Sequence, residues 1–317
     1  MEYRGYAQKI MDNINSVLIG KEDKVEMALI TLLAGGHLLL EDVPGIGKTT
    51  LALALARTVD VSFGRIQFTP DTLPGDVTGT SIYNMKTGEF EFSKGAVMHN
   101  IVLADEINRT SPKTQASLLE AMEERQVTVD GKTYPLEDPF MVIATQNPVD
   151  FLGTYRLPEA QMDRFMMKLS LGYPSEEDEK RMARNFLDGI QLKKLKPVIE
   201  REVLLEMIEE AQSMYIHDDV IDYAAKIVEQ TRRQNNVALG CSPRALLALL
   251  RASQAAAYVA GREYTAPDDV KRMCVPVLAH RLLLAPEARI NKVEQEDVMR
   301  FVIERVMVPV LPEGGRR

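Results

Sequence analysis

The sequence contains only two cysteines, and it lacks a long apolar run and an apolar N-terminus. Cys241 and Cys274 lie far apart with no Cys-x-x-Cys partner, which argues against a disulfide framework or a zinc knuckle and favours a reducing compartment. The longest uncharged run, residues 27–40, is shorter than the roughly 20 residues of a membrane span. The charged and polar first residues do not resemble a signal peptide. We therefore expect a cytoplasmic protein without a membrane span.

Basic residues are not in excess either, since the net charge is −8 and the sequence pI is near 5.3. This charge argues against a surface dedicated to DNA or RNA, although a small basic channel remains compatible with it. The four histidines are scattered without His-Glu-x-x-His spacing, so the sequence supports neither a zinc site nor a nucleophile triad. With 317 residues, the chain is long enough for two packed units of roughly 150 residues each.

Short apolar runs alternate with helical patterns through the first half of the chain. They occupy residues 37–40, 65–69, 101–104, 140–145 and 165–171. Strands that alternate with helices predict a doubly wound, parallel-sheet α/β fold. Several of the runs lack a period of two, as expected for strands that helices cover on both faces.

The pattern changes after residue 172. Ser175, followed by three acidic residues, is typical of a helix N-cap with acids in the first turn. Further segments with helical spacing span residues 202–214, 219–236, 243–260 and 267–282, and no convincing strand occurs among them. We predict a core over residues 1–172 and a helical domain over residues 173–317, ending in a frayed tail at 311–317.

A glycine-rich loop of the Walker A type follows the first predicted strand. The residues that would hold a nucleotide here are Pro44, Gly45, Ile46, Gly47, Lys48, Thr49 and Thr50. The glycines let backbone N–H groups surround an anion at a helix N-terminus, Lys48 can reach the β- and γ-phosphates, and the Thr49 hydroxyl can bind Mg²⁺. The usual first glycine of the pattern is Asp42. The loop predicts that ATP and Mg²⁺ bind here.

Polar residues follow two later strands. Asp105 and Glu106 end an apolar run and form a Walker B pair, in which Asp105 would hold Mg²⁺ and Glu106 would orient and deprotonate the attacking water. Asn147 follows the strand at 140–145 and would lie beside this pair, at the position called sensor 1. Taken alone, either pattern is a strand that meets a solvated loop, but the phosphate loop upstream favours a catalytic role.

Two arginines are further candidates. Arg244 follows Ser242, an expected N-cap, so its charge opposes the helix macrodipole by about 0.3–1 kcal/mol and suggests an anion nearby. We interpret Arg244 as a sensor 2 residue, with an exposed, screened cation as the alternative. Arg164 lies near the end of a predicted short helix, where a cation is favourable without any function, so the sequence pattern leaves its role open.

These segments together resemble the MoxR family of AAA+ ATPases. The resemblance is carried by GHLLLEDVPGIGKTTLA, LADEINRTSPKTQASLLEAMEERQVTVDGKTYPL, FMVIATQNP, GTYRLPEAQMDRFMMKL and SPRALLALLRASQAAAYVAGR. It implies an AAA+ core with a helical lid and a chaperone-like ATPase. That ATPase would work as a homo-oligomer, a hexamer by analogy, and remodel a protein substrate, often with a von Willebrand factor A domain partner. It also implies that Arg164 is an arginine finger acting on a neighbouring subunit's ATP, with Arg156 as the second choice.

The segment 82–97 and the Asp130-Gly131 hairpin resemble the helix-2 and pre-sensor insertions that the wider clade shares with magnesium chelatase subunits and minichromosome maintenance helicases. Residues 127–134 alternate around Asp130-Gly131, which predicts a protruding hairpin with a type I′ turn. Residues 89–92 alternate too, which predicts a half-buried strand with Phe90 and Phe92 on one face. Both hairpins could pack on the domain or face a central pore.

Two other functions remain open from the sequence. The shared clade allows a nucleic-acid-stimulated motor, which the acidic charge disfavours. The second alternative is a nucleotide-gated binding module that holds ATP without turnover. The combined presence of Glu106, Asn147, Arg164 and Arg244 disfavours it, because a protein that only binds ATP does not need a complete set of catalytic residues.

Overall fold

The computed structural model describes residues 3–147, 155, 157–189 and 192–310 of the chain. Its strands are β1 (Leu38–Glu41), β2 (Phe63–Gln67), β3 (Gly79–Asn84), β4 (Glu89–Lys94), β5 (Ile101–Asp105), β6 (Gln126–Val129), β7 (Lys132–Pro135), β8 (Met141–Gln146), β9 (Met167–Leu169), β10 (Tyr215–Ile216), β11 (Val237–Leu239), β12 (Tyr264–Thr265) and β13 (Leu283–Leu284). Its α-helices are α1 (Tyr6–Asn15), α2 (Glu22–Leu33), α3 (Lys48–Thr58), α4 (Pro74–Thr78), α5 (Pro112–Glu124), α6 (Glu159–Met162), α7 (Glu176–Leu187), α8 (Arg201–Gln212), α9 (Asp218–Thr231), α10 (Pro243–Val259), α11 (Pro267–Leu278), α12 (Pro286–Ile290) and α13 (Gln295–Arg305).

Five strands form one parallel sheet in the order β2-β5-β8-β1-β9. They correspond to the five predicted apolar runs, with slightly different bounds. Within the sheet, Leu38 of β1 is level with Ile143 of β8 on one side and Met167 of β9 on the other. The prediction of a doubly wound α/β fold is therefore confirmed. Because all five strands run in the same direction, their carboxyl ends meet at one edge, where α/β sheets bind ligands.

Alternate side chains of these strands enter two different apolar cores. Leu38 and Leu40 contribute to the core that contains α1, α2, α3 and the buried faces of the helical half. Leu39 and Val102 contribute to the core on the opposite face, against α5. Since both faces are buried, nearly every strand position is apolar, and the runs show no polar alternation.

The second half is helical, as predicted, and two predicted N-caps are confirmed. The hydroxyl of Ser175 accepts a hydrogen bond from the N–H of Asp178 at 3.2 Å, and that of Ser242 accepts one from the N–H of Ala245 at 3.2 Å. The expectation that no strand follows residue 175 was wrong. Strands β10 and β12 pair in parallel, and β11 and β13 pair in antiparallel. Strands of two or three residues are too short to show a period.

Two hairpins extend from the core. In β6–β7 the turn residues Asp130 and Gly131 have φ of +50° and +77°, as a type I′ turn requires, so the predicted hairpin is confirmed. In β3–β4 the prediction of a half-buried strand was wrong for Phe90, whose surface is 73% exposed. Phe92 stacks on Tyr134 with ring centroids 4.0 Å apart, which joins the two hairpins. Whether they face a pore stays a prediction.

Among the helices of the described residues, none combines the length and the apolar character that a membrane crossing needs. Cys241 and Cys274 are free and buried, and burial raises the pKa of both thiols, that of Cys241 to about 11. Neither thiol is therefore poised as a nucleophile. The predicted tail at 311–317 lies outside the described residues.

Candidate functional site

A cleft of about 770 Å³ opens at the carboxyl edge of the sheet. It gathers the predicted phosphate-loop residues, the acid pair and the sensor 1 residue. The predicted site residues that line it are Pro44, Gly45, Ile46, Gly47, Lys48, Thr49, Thr50, Asp105, Glu106 and Asn147. The strand order explains the convergence, because β1, β5 and β8 are neighbours and each delivers its following residues to the same edge.

The phosphate loop has the backbone that only glycine adopts without strain. Gly45 has φ +86° and Gly47 has φ +98°, and Gly47 directly precedes the first residue of α3. A Cβ on Gly47 would also lie 2.9 Å from Leu18 Cδ1. The loop therefore presents backbone N–H groups and a helix N-terminus to the cleft, which is a favourable arrangement for an anion.

Lys48 is 8% exposed, and its Nζ donates to the backbone carbonyl oxygen of Asp42 at 2.7 Å. Burial lowers the pKa of Lys48, and the nearby carboxylates of Asp42, Asp105 and Glu106 partly offset this. A partly desolvated ammonium among carboxylates is stabilised further by an additional anion.

The acid pair is fixed by a buried hydroxyl that the sequence did not reveal. Thr145 Oγ1 donates to Asp105 Oδ1 at 2.7 Å and accepts the backbone N–H of Glu106 at 2.9 Å. Glu106 has φ +56° and ψ +49°, a left-handed conformation that is uncommon for a residue with a side chain and occurs most often at functional sites. Thr145 thus holds both acids in place.

Three further polar residues that sequence reasoning missed contact the acid pair. Gln67 Nε2 and Arg109 Nη1 each donate to Glu106 Oε2 at 2.9 Å. Arg65 Nη2 donates to Asp105 Oδ2 at 2.8 Å and to Gln67 Oε1 at 2.9 Å. The alternation of Arg65, Ile66 and Gln67 was the available signal, since it places two polar side chains on one face of β2.

Two oxygen donors in the cleft would suit a Mg²⁺ ion. Magnesium prefers oxygen ligands, and the Thr49 hydroxyl and the Asp105 carboxylate both line the cleft. The Asp105 carboxylate forms an ion pair with Arg65 at 2.8 Å. These two residues therefore fit the ion.

The other end of the cleft is more apolar. Lys21 and Glu179 are its charged members, and its apolar members are Val17, Leu18, Ile19, Tyr173, Pro174 and Met182. The first three apolar members lie between α1 and α2, and the last three lie in or just before α7, so both halves of the chain contribute to this wall. A flat aromatic group suits such an environment better than a phosphate chain does.

The two predicted arginines lie elsewhere and share one carboxylate, that of Glu123. Arg164 Nε is 3.1 Å from Glu123 Oε2, and Arg244 Nη1 is 2.9 Å from Glu123 Oε1. Among the described residues that line the nucleotide cleft, neither arginine is present. The anion expected near Arg244 is therefore a carboxylate of the same chain, and both arginines line a separate cavity of about 310 Å³ with Arg251 and Arg281. Arg156 lies outside the described residues.

Comparison with known sequence families matches two parts of the chain. A sequence model described as ATPase family associated with various cellular activities (AAA) matches residues 37–167, and one described as AAA lid domain matches residues 229–301. The chain is 50% identical to the uncharacterized protein YeaC of Bacillus subtilis over 95% of its own length and 94% of that protein. It is 40% identical to the chaperone MoxR1 of Mycobacterium tuberculosis over 97% of its length and 84% of that protein.

The chain belongs to the MoxR family of AAA+ ATPases. The crystal structure of a Cytophaga hutchinsonii protein assigned as an ATPase superposes with a TM-score of 0.91 at 38% identity, covering 98% of this chain and 96% of the other. The lid match begins in α9 and ends in α13, so residues 229–301 of the helical half correspond to an AAA lid domain.

Proposed function

We propose that this MoxR-family protein hydrolyses ATP with Mg²⁺ in the cleft and uses the energy, as a ring of identical subunits, to remodel a protein substrate. The observation that supports ATP hydrolysis most directly is the convergence of Lys48, Asp105, Glu106 and Asn147 in one cleft. A phosphate-binding loop alone would serve a binding module equally well, whereas a carboxylate beside it supplies a base for the attacking water.

The side chains divide the work. Lys48 and the N–H groups of the loop would bind the β- and γ-phosphates, and Asn147 would hydrogen-bond the γ-phosphate or the water. Mg²⁺ would be held by Thr49 and Asp105 and would neutralise charge on the phosphates. Glu106 would orient the water and take its proton, with its carboxylate aimed by Gln67.

The base of the nucleotide would occupy the apolar end of the cleft, between Val17 and Tyr173. The glycines and Lys48 would fix the phosphates of the nucleotide at the loop, so the remainder of the molecule would extend toward this wall. Because the wall contains Met182 of α7, nucleotide binding would contact core and lid together, with the division between them at residues 172 and 173.

Arg164 and Arg244 would act on the ATP of a neighbouring subunit. Both guanidinium groups lie away from the cleft of their own chain and share one carboxylate, Glu123, with half of the Arg244 side chain exposed. A second anion can compete for such a pair, since exposed ion pairs contribute only about 0.2–1 kcal/mol each. Phosphates that a neighbour presents would provide that anion, with Arg164 as the finger and Arg244 as sensor 2. A closed ring, a hexamer by analogy with the family, would place each pair beside the next cleft.

A protein is the proposed substrate, and a von Willebrand factor A domain protein is a possible partner class suggested by the family. A relative with 40% identity is named a chaperone. The exposed hairpin side chains of Tyr83, Met85 and Phe90 offer an apolar contact surface. The cytoplasm is the proposed compartment.

The test mixes two inactive variants. Lys48→Ala keeps its arginines and Arg164→Ala keeps its own cleft, so a ring that contains both has some interfaces with an intact cleft and an intact finger. We expect each variant alone to be inactive and the mixture to regain part of the wild-type turnover. Arg233→Ala, which removes an exposed arginine paired with Glu229 on α9, is the matched control and should stay active.

Native mass spectrometry would establish that mixed rings form. Mixed rings without turnover would contradict the proposed role of Arg164 across the interface, and turnover by monomeric protein at the wild-type rate would contradict the need for a ring. A Glu106→Gln variant that holds ATP would then be used to retain and identify the protein substrate from a native lysate.

A further inference from the structure

Asp42 occupies the first position of the phosphate loop, where the general pattern has glycine. Its side chain is 8% exposed and points away from the cleft toward the segment that leads from β9 into the lid. Oδ1 accepts from Ser170 Oγ at 2.8 Å and from the N–H of Gly172 at 3.3 Å, and Oδ2 accepts from the N–H of Leu171 at 2.5 Å. One carboxylate at the start of the phosphate loop thus holds three consecutive residues of the connection.

A buried lysine holds the same connection through its carbonyl groups. Lys21, which is 6% exposed and precedes α2, donates from Nζ to the carbonyl oxygens of Gly172 and Tyr173, each at 3.0 Å. The connection, residues 170–173, is therefore held by a carboxylate on its N–H groups and an ammonium on its carbonyl groups. Charge-assisted hydrogen bonds of this kind are shorter and stronger than neutral ones.

The connection leads directly into one wall of the cleft. Tyr173, Pro174 and Met182 line its apolar end, while the loop that starts at Asp42 forms its phosphate end. The backbone carbonyl oxygen of Asp42 also accepts a hydrogen bond from the Lys48 ammonium. Asp42 therefore links the two ends of the cleft: it is part of the phosphate loop by chain connectivity, and it holds the connection to the other wall by hydrogen bonds.

We propose that Asp42 is a positioning residue for the nucleotide, which sets the distance between the phosphate loop and the wall for the base by holding the connection at 170–173. The proposal rests on the nucleotide site assigned above. It explains why a loop that binds phosphate carries an aspartate at a position where glycine suffices for the turn. Asp42 then acts through the base end of the ligand. Its carboxylate also lies near Lys48, so removing that negative charge would favour the binding of phosphates rather than weaken it.

Two ligands separate these contributions, namely ATP and inorganic tripolyphosphate, each measured with Mg²⁺ by calorimetry. Asp42→Gly restores the general loop pattern but releases the connection. We expect it to weaken ATP binding by about tenfold. Tripolyphosphate binding should not be weakened, because the variant also removes a negative charge near Lys48. Lys21→Met releases the same connection from the other side, and since Lys21 also lines the cleft it removes a positive charge there; its loss should again be larger for ATP than for tripolyphosphate. The double variant should lose less than the product of the two single effects.

Two milder variants keep the test valid if Asp42→Gly does not fold. Asp42→Asn keeps the volume and loses the charge, and Ser170→Ala removes a single hydrogen bond, so both should give a smaller loss that is again confined to ATP. An equal loss for ATP and tripolyphosphate in any folded variant would show that Asp42 acts through the phosphate loop itself and would overturn the proposal. Unchanged binding of both ligands would overturn it too. Failure of the wild type to bind ATP at all would instead refute the nucleotide site.

Discussion

His37 gives a prediction about stability whose size follows from its surroundings. The residue directly precedes β1, and its imidazole is buried. Its Nδ1 accepts a hydrogen bond from the N–H of Val142 at 3.0 Å, and its Nε2 lies 3.2 Å from the carbonyl oxygen of Met122. Burial, together with the charge of Arg125, lowers the pKa of His37 from 6.5 to about 3. The ring is therefore neutral in the folded protein, with its proton on Nε2.

The direction in which pH changes the free energy of unfolding follows from the number of protons that His37 binds in the folded and unfolded states. Between about pH 6.5 and pH 3 the unfolded chain binds a proton at this position and the folded chain does not, so protonation favours unfolding. The contribution of His37 is fully present above pH 6.5 and is lost as the pH falls. From about pH 7.5 to about pH 5 the loss amounts to about 2 kcal/mol, since each pKa unit corresponds to about 1.4 kcal/mol.

The measurement compares wild type with His37→Gln by urea unfolding at both pH values. Glutamine offers an acceptor and a donor but does not titrate in this range. We expect the free energy of unfolding of the wild type to fall by about 2 kcal/mol more than that of the variant. Carboxylates and the buried His280 contribute to both proteins and cancel in the difference. His217→Asn, which keeps a capping side chain at the start of α9, is the control and should behave as wild type. Equal pH dependence in wild type and His37→Gln would refute the reasoning.

Three further predictions concern the cleft. Lys48→Ala should weaken ATP binding by on the order of 100-fold, because it removes the charge at the phosphates, and unchanged affinity in a binding assay would contradict the site. Glu106→Gln should bind ATP normally and hydrolyse it at least about 100-fold more slowly, because the amide accepts no proton; single-turnover kinetics near the wild-type rate would place the base elsewhere. Thr145→Val keeps the shape but removes the hydroxyl between the two acids, so kcat should fall by about tenfold while ATP affinity changes by less than about threefold, and an equal change in both would show a general loss of structure.

The parts of the fold that the sequence predicted well are those whose pattern is local. The strands around Leu39, Val102 and Val142 are buried on both faces, so their composition alone separates them from helices. The N-caps at Ser175 and Ser242 depend on residues three positions apart. Strand β12 was missed because two residues carry no period.

The parts of the site that could not be predicted depend on contacts between distant segments. Nothing in the local sequence of Glu123 indicates that it would meet Arg244, which follows it 121 residues later. The position of Arg244 at a helix N-terminus predicted an anion nearby. That this anion is Glu123 depends on how the helical half packs on α5. Thr145 was missed for a similar reason. A threonine at a strand end can play many structural roles, and only the neighbouring strand β5 places Asp105 and Glu106 within reach of its hydroxyl.

The stack of Phe92 on Tyr134 has a mechanical consequence. One ring belongs to the hairpin that follows α4, and the other belongs to the hairpin that follows α5. With 15° between the ring planes, the two aromatic side chains share an extended contact, and a pull on either hairpin is carried to both. A force on the tip of one hairpin therefore reaches the core through both hairpins, and the two hairpins move together.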